Sequence, residues 1–564
     1  MAGIILTPNL LWKDFVVETD FNETEVTINK EDKYTVREVY FNGRACGSSR
    51  VSIFAREIKR NQKKPTCAVL YVRDLGAPSD DTTIKTLADD GYLVFDVDVE
   101  GKTSDRENYT KYPEEIPYAN YAISKDNLFG VLNDARSTCW YEWAAVLRYA
   151  LAYLKNIVGI EKVGGFAVGD SATALWQVAG MDEKLDCAVF GLNAGWAGYR
   201  GTDKFGGKVE PQFSDDMVKF IAGIEPQAYA MHVNCPTLIL AATNSNVYDC
   251  DRVYDTISHI PQEIYAAVNY SVGYVNSVNK AAILSAKVFF GKNLLGNVQE
   301  ELSNKIDIKC DLADGAIAFT VEADEEQLKE LCVFVCEQTT RPSLRCWRKV
   351  TVQKKNAETG ECVFKYFPYT NAQNVIAFAQ ATYRNGYEIG SKTVMKKFSE
   401  QEVSLTYKSN VIYSSRNENA ESVFVSAKQD GKGKAHLNYQ DVDEVFVKKG
   451  PMGINGVCAK NGLLTFKINS DTDKPSDEAI LMFDVYSKES SAMAVKLIAD
   501  YFGEKVEYFG WVTLHGGEVW QNVKIEQIRF KTEQGLGLKS YQKIEAIEFV
   551  ANENGYLLNN ALWV

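Results

Sequence analysis

Residues 162–180 read KVGGFAVGDSATALWQVAG. The apolar run Val163–Val168, the Gly169-Asp170-Ser171 turn and an Ala/Leu/Trp/Val run at helical spacing predict a strand, a sharp elbow and a helix. Such a turn holds its apex residue above a helix N-terminus, where backbone N–H groups favour negative charge. Gly169 to Thr173 nearly spell the G-x-S-x-G of a nucleophile elbow, with Thr173 in the last small position. Small-residue turns of this kind also serve packing alone, so whether the elbow carries chemistry depends on what the chain places around it.

Outward from the elbow, the texture divides the chain into three. Residues 1 to about 60 alternate polar and apolar positions, as antiparallel strands do. From Pro65 buried strands ("TCAVLYVRDLG", "YLVFDVDVEG") alternate with helices ("TTIKTLADDG"), which implies a mostly parallel sheet. Trp140, Trp143, Leu147, Leu151 and Leu154, three and four apart, predict a helix from about Ser137 to Lys155 with one apolar stripe on that sheet. After the elbow come the strands "DCAVFGLNAGW" and "CPTLILAATNS", and a helix from about Asn279 to Leu294. Beyond it the chain turns all-β, with Asn385-Gly386 at a hairpin turn. The expected units are an α/β unit over residues 1–298, a small β-sandwich over 299–402 and a jelly-roll-like β-sandwich over 403–564.

A chain of 564 residues is too long for one core, so several units are expected. With 62 basic against 75 acidic residues the net charge is −13, which argues against nucleic acid or an anionic membrane as partner. The opening MAGIILTPNLLWKDF has no basic n-region and no cleavage pattern, so no secretory signal is expected. Nor does any window suffice to span a bilayer. The twelve cysteines lack C-x-x-C pairs and several lie in apolar strand runs, which fits buried thiols in a reducing cytoplasm. His232, His259, His436 and His515 stand outside metal-ligand spacing of one another, so a His-based zinc site is not expected, and no metal or other cofactor is expected.

Three stretches in order, WYEWAAVLRYALAYLKN from Trp140, residues 163–196 around the elbow and HVNCPTLILAATNSNVYDCDRVYDTISHIP from His232, resemble the α/β-hydrolase family that includes acetyl xylan esterases and dienelactone hydrolase-like enzymes. The C-terminal "GYLLNNALWV" more loosely resembles a carbohydrate-binding jelly roll. The first resemblance implies an α/β-hydrolase fold and a Ser–acid–His triad. A gapless count from Lys162 puts the nucleophile's place on Gly169; a two-residue slip puts it on Ser171. The acid's place falls on Ser245, with Asp249 and Asp251 further along the loop. The histidine's place falls near Asn269, Tyr270, Ser271 and Val272, where no imidazole stands. Arg73-Asp74-Leu75-Gly76 replaces the usual glycine-rich oxyanion loop.

A serine needs a base to take its proton. Without one, Ser171 reads as a helix N-cap. Asp170 would repel a developing oxyanion. His232 reads as capping or packing at a strand start, and His259 as a cation at a helix end. Trp140 and Trp143 read as packing. Trp511, Trp520 and His515 are candidates for stacking on a sugar, against core tryptophans as the plainer reading. The expectation is a degenerate hydrolase that binds a carbohydrate-related ligand, another small molecule or a protein. The alternatives are a serine esterase using Ser171 with Asp249 or Asp251, and a self-associating structural protein forming a homo-oligomer.

Overall fold

The computed structural model describes residues 4–564 except 79, 104–105, 183, 208–209, 246, 274–277, 298–301, 338, 353, 356–360, 369–371, 400, 405–409, 417–418, 427–444, 471–472 and 553. The boundary expected at 298/299 and His436 lie outside the described residues.

Nine strands form the first sheet: β1 (Thr24–Lys30), β2 (Tyr34–Cys46), β3 (Ser49–Arg60), β4 (Cys67–Val72), β5 (Leu93–Val97), β6 (Lys162–Val168), β7 (Cys187–Gly191), β8 (Thr237–Ala242) and β9 (Ala266–Ser271). Their order is β1-β2-β3-β5-β4-β6-β7-β8-β9. The pairs from β1 to β5 across β2 and β3 are antiparallel, and from β5 through β4 to β9 all are parallel. Every residue of β4, β5, β7 and β8 is buried, because helices cover both faces of the parallel part. The helix Cys139–Asn156 lies on one face, capped by Thr138, and buries both Trp140 and Trp143. Lys280–Asn293, capped by Asn279, lies on the other.

The elbow strand sits at the centre. A Cβ at Gly165 would stand 2.7 Å from Leu175, and one at Gly164 2.8 Å from Phe290. The glycine pair therefore lets a helix approach β6 closely from each face.

Among the described residues the C-terminal half carries antiparallel sheets of four, five, six and five strands. The first two, built from strands between Ile306 and Lys397, share a core with the nine-stranded sheet: Phe289 and Phe290 cluster with Phe319, Val333 and Phe364. Asn385-Gly386 turns between Asn374–Tyr383 and Glu388–Gly390, with Gly386 at φ +85°. The last two sheets enclose a core of their own around Phe483, Leu497, Phe549 and Leu558. Among the described residues no helix is long and apolar enough to cross a membrane.

Candidate functional site

The elbow forms where the sequence places it, between β6 and the helix Ala172–Met181. Its apex is Gly169, at φ +64°. A side chain there would be strained by the backbone and blocked by a neighbour, since a Cβ would stand 2.0 Å from Asp74 Oδ1.

Asp74 comes from the loop after β4. Its Oδ1 accepts hydrogen bonds from the backbone N–H of Asp170 at 2.9 Å and of Leu75 at 2.8 Å. An elbow hydrolase builds its oxyanion hole from these two kinds of donor: the N–H after the nucleophile's position and one from the loop of the neighbouring strand. Here a carboxylate of the chain itself takes both. The loop is anchored from behind. Arg73 pairs with Asp98 at 2.8 Å, Arg106 with Glu100 at 2.5 Å, and Glu100 also accepts from the Gly76 N–H. Burial, with Asp170 adding to it, pushes the Asp74 carboxyl up to about 7. Asp170 itself pairs with Arg200 at 2.9 Å, and Arg200 lies over the Phe129 ring.

Ser171 is fully buried, and its hydroxyl donates to Val168 O at 2.8 Å, with Val72 O the longer alternative at 3.5 Å. It makes no capping hydrogen bond, contrary to the sequence reading. The reason is that a 3-10 turn begins at Gly169, so Ser171 already has helical angles (φ −61°, ψ −23°) rather than the extended ones of a cap. The cavity beside the elbow, lined by Phe129, Trp140, Asp170, Thr173, Asn193 and Arg200 among others, measures about 10 Å³. That is near the minimum for one water, whereas ligand sites occupy hundreds of cubic ångströms.

At the acid's place Ser245 Oγ accepts from the N–H of Val247 and Tyr248, closing a turn. Asp249 accepts from Asp251 N–H and pairs with Arg252 at 3.0 Å; burial and Asp251 push its carboxyl up to about 6. Asp251 is wholly buried in a two-pronged pair with Arg345, at 2.7 and 2.5 Å. Asp249, Cys250 and Asp251 bring three donor atoms within 4.8 Å of one another. The two carboxylates, however, are engaged by arginines.

At the histidine's place, Asn269 donates to Ser285 Oγ and Glu388 O, and Tyr270 packs on Phe378 at 4.7 Å. Ser271 O accepts from Thr243 N–H. His232 stands in the turn after the helix Pro226–Ala230 rather than at a strand start, and His259 is exposed two residues beyond the helix Val253–Ile257.

The three sugar-stacking candidates lie on different elements. Trp511 is 72% exposed on the edge strand Glu504–Leu514 of one sheet. Trp520 leads into the other sheet, seated against Gly450 and Gly456 with its Nε1–H on Pro451 O. His515 is exposed in the loop between them. Arg345 escaped the sequence reading, because a single arginine in a β-rich run carries no local sign of its distant partner. The RDLG at 73–76 was the visible sign of Asp74.

No family model matches the chain, and no curated protein matches it. Solved structures similar to it include the acetyl xylan esterase from Paenibacillus sp. R4, at 12% identity over 47% of this chain and 84% of that one, TM-score 0.32. Acetyl xylan esterase 1 from Thermoanaerobacterium sp. JW/SL YS485 matches at 12% identity over 48% and 89%, TM-score 0.32. A putative dienelactone hydrolase from Klebsiella pneumoniae subsp. pneumoniae MGH 78578 matches at 12% over 46% and 98%, TM-score 0.30.

Proposed function

We propose that this chain is a non-catalytic, hydrolase-like protein of the cytoplasm that works by binding, its triad replaced at all three places. The Asp74 carboxylate on the N–H groups of Asp170 and Leu75 carries the reading. A tetrahedral intermediate needs those donors for its developing charge, and a carboxyl oxygen already seated on both N–H groups takes them up. The binding partner is a carbohydrate-related ligand or a protein, met through the exposed faces of the jelly-roll-like unit, where Trp511 offers an open aromatic surface. Self-association as a homo-oligomer is compatible with this role.

The test is turnover of p-nitrophenyl acetate and of acetylated xylo-oligosaccharide by the purified chain and by Ser171→Ala. Neither protein is expected to exceed the buffer rate. Turnover that disappears in Ser171→Ala would instead establish the serine esterase reading, with Asp249 or Asp251 as acid. A glycan array then separates sugar from protein partners.

A further inference from the structure

At the opposite end of the nine-stranded sheet from the elbow lies a cavity of about 640 Å³, within the size range of small-molecule sites. It opens between β2, β3 and β5 and the end of the helix Cys139–Asn156. Its two ends differ in charge. At one end Arg37 pairs with Glu23, Glu25 and Glu57, three carboxylates around one guanidinium, which leaves a net charge of −2. The Tyr153 hydroxyl donates to Glu23, with Glu57 the longer alternative at 3.2 Å. At the other end stand Lys59 and Lys64, and among the described residues neither ammonium is in an ion pair. Leu93, Ile157 and Ile160 add apolar surface to its lining.

Strand register sets the spacing. Arg37 pairs with Glu57 across β2 and β3, and Thr35 with Lys59, so Glu57 and Lys59 share a face two residues apart. Two residues along a strand span roughly 7 Å. We infer that this cavity binds a small zwitterion with an apolar body, its ammonium at Glu23 and Glu57 and its carboxylate at Lys59 and Lys64, the length of an apolar dipeptide. The carboxylates keep unused lone pairs for the ammonium, because each offers about four acceptor sites. The apolar part of the lining supplies burial and the charged groups supply orientation. This site is independent of the elbow, and its ligand stands whether or not Ser171 is reactive.

Calorimetric titration of the full chain with leucyl-leucine tests it, beside N-acetyl-leucyl-leucine and leucyl-leucinamide. Saturable binding of the free dipeptide is expected, weakened about tenfold by blocking either end. Glu23→Gln, on a partly exposed side chain, is expected to weaken the free dipeptide while leaving the acetylated one unchanged. Lys64→Met, on an exposed one, is expected to do the same against the amide. Matching thermal melts show that both variants fold. No saturation at millimolar dipeptide, binding indifferent to both blocks, or binding untouched by both variants would overturn the inference.

Discussion

Gly169 and Asp74 are fitted to one another. Gly169→Ala places a methyl group 2.0 Å from a carboxylate oxygen on a left-handed backbone, and is expected to destabilise the chain by on the order of 2–4 kcal/mol in urea unfolding. Adding Asp74→Ala is expected to return part of that loss, giving a non-additive double-mutant cycle. Asp74 also titrates. Its folded carboxyl, at about 7 against an ordinary 3.8, takes up a proton on folding, so its contribution is full in acid and is lost as pH rises through about 7. Asp249 acts with the same sign but only up to about 6. The diagnostic window is therefore pH 6 to 7, where the melting temperature of the native chain is expected to fall and that of Asp74→Asn, which keeps its acceptor oxygen, to stay flatter. The sequence offered Gly169 and RDLG separately. That the two meet across 96 residues is a tertiary fact, which no local pattern encodes.

Among the elements, the loop after β8 and the strand β9 show the largest change of use. In the reading by resemblance they supply acid and base; in the structure they dock the neighbouring β-sheets. Asp251 holds Arg345, Asn244 donates to Arg345 O and Ser422 O, and Asn269 reaches Glu388. Arg345→Met leaves Asp251 as an uncompensated buried charge and is expected to cost about 3–5 kcal/mol in denaturant unfolding. Combining it with Asp251→Asn is expected to cost less than the sum of the two single changes. The strands and helices themselves were legible: apolar runs gave β4 to β8, and the three-and-four spacing gave the helix at Cys139–Asn156 within two residues of its expected start. The Ser171 cap misled because the helix opens with a 3-10 turn, and the residue type is the same whether or not its backbone is extended.

Across the molecule, buried contacts run without a break from the nine-stranded sheet into the first two antiparallel sheets. Val288 and Phe289 lie in one cluster with Ile308, Phe319 and Val335, and Trp347 and Phe378 join the cluster on the other face. A chain cut after residue 297 would expose that surface, and is expected to aggregate on expression rather than give a soluble α/β unit. The all-β texture of the C-terminal half was readable from alternation, but its attachment was not, because alternation tells which face is buried and not against what.

With the N–H groups of Asp170 and Leu75 already engaged by Asp74, no serine at the elbow is expected to react with an acyl or phosphonyl group. Intact-protein mass spectrometry after prolonged incubation with excess fluorophosphonate tests this most directly, beside Ser171→Ala. Both proteins are expected to keep their own unmodified masses. A stoichiometric adduct on the native chain that is missing from Ser171→Ala would contradict this.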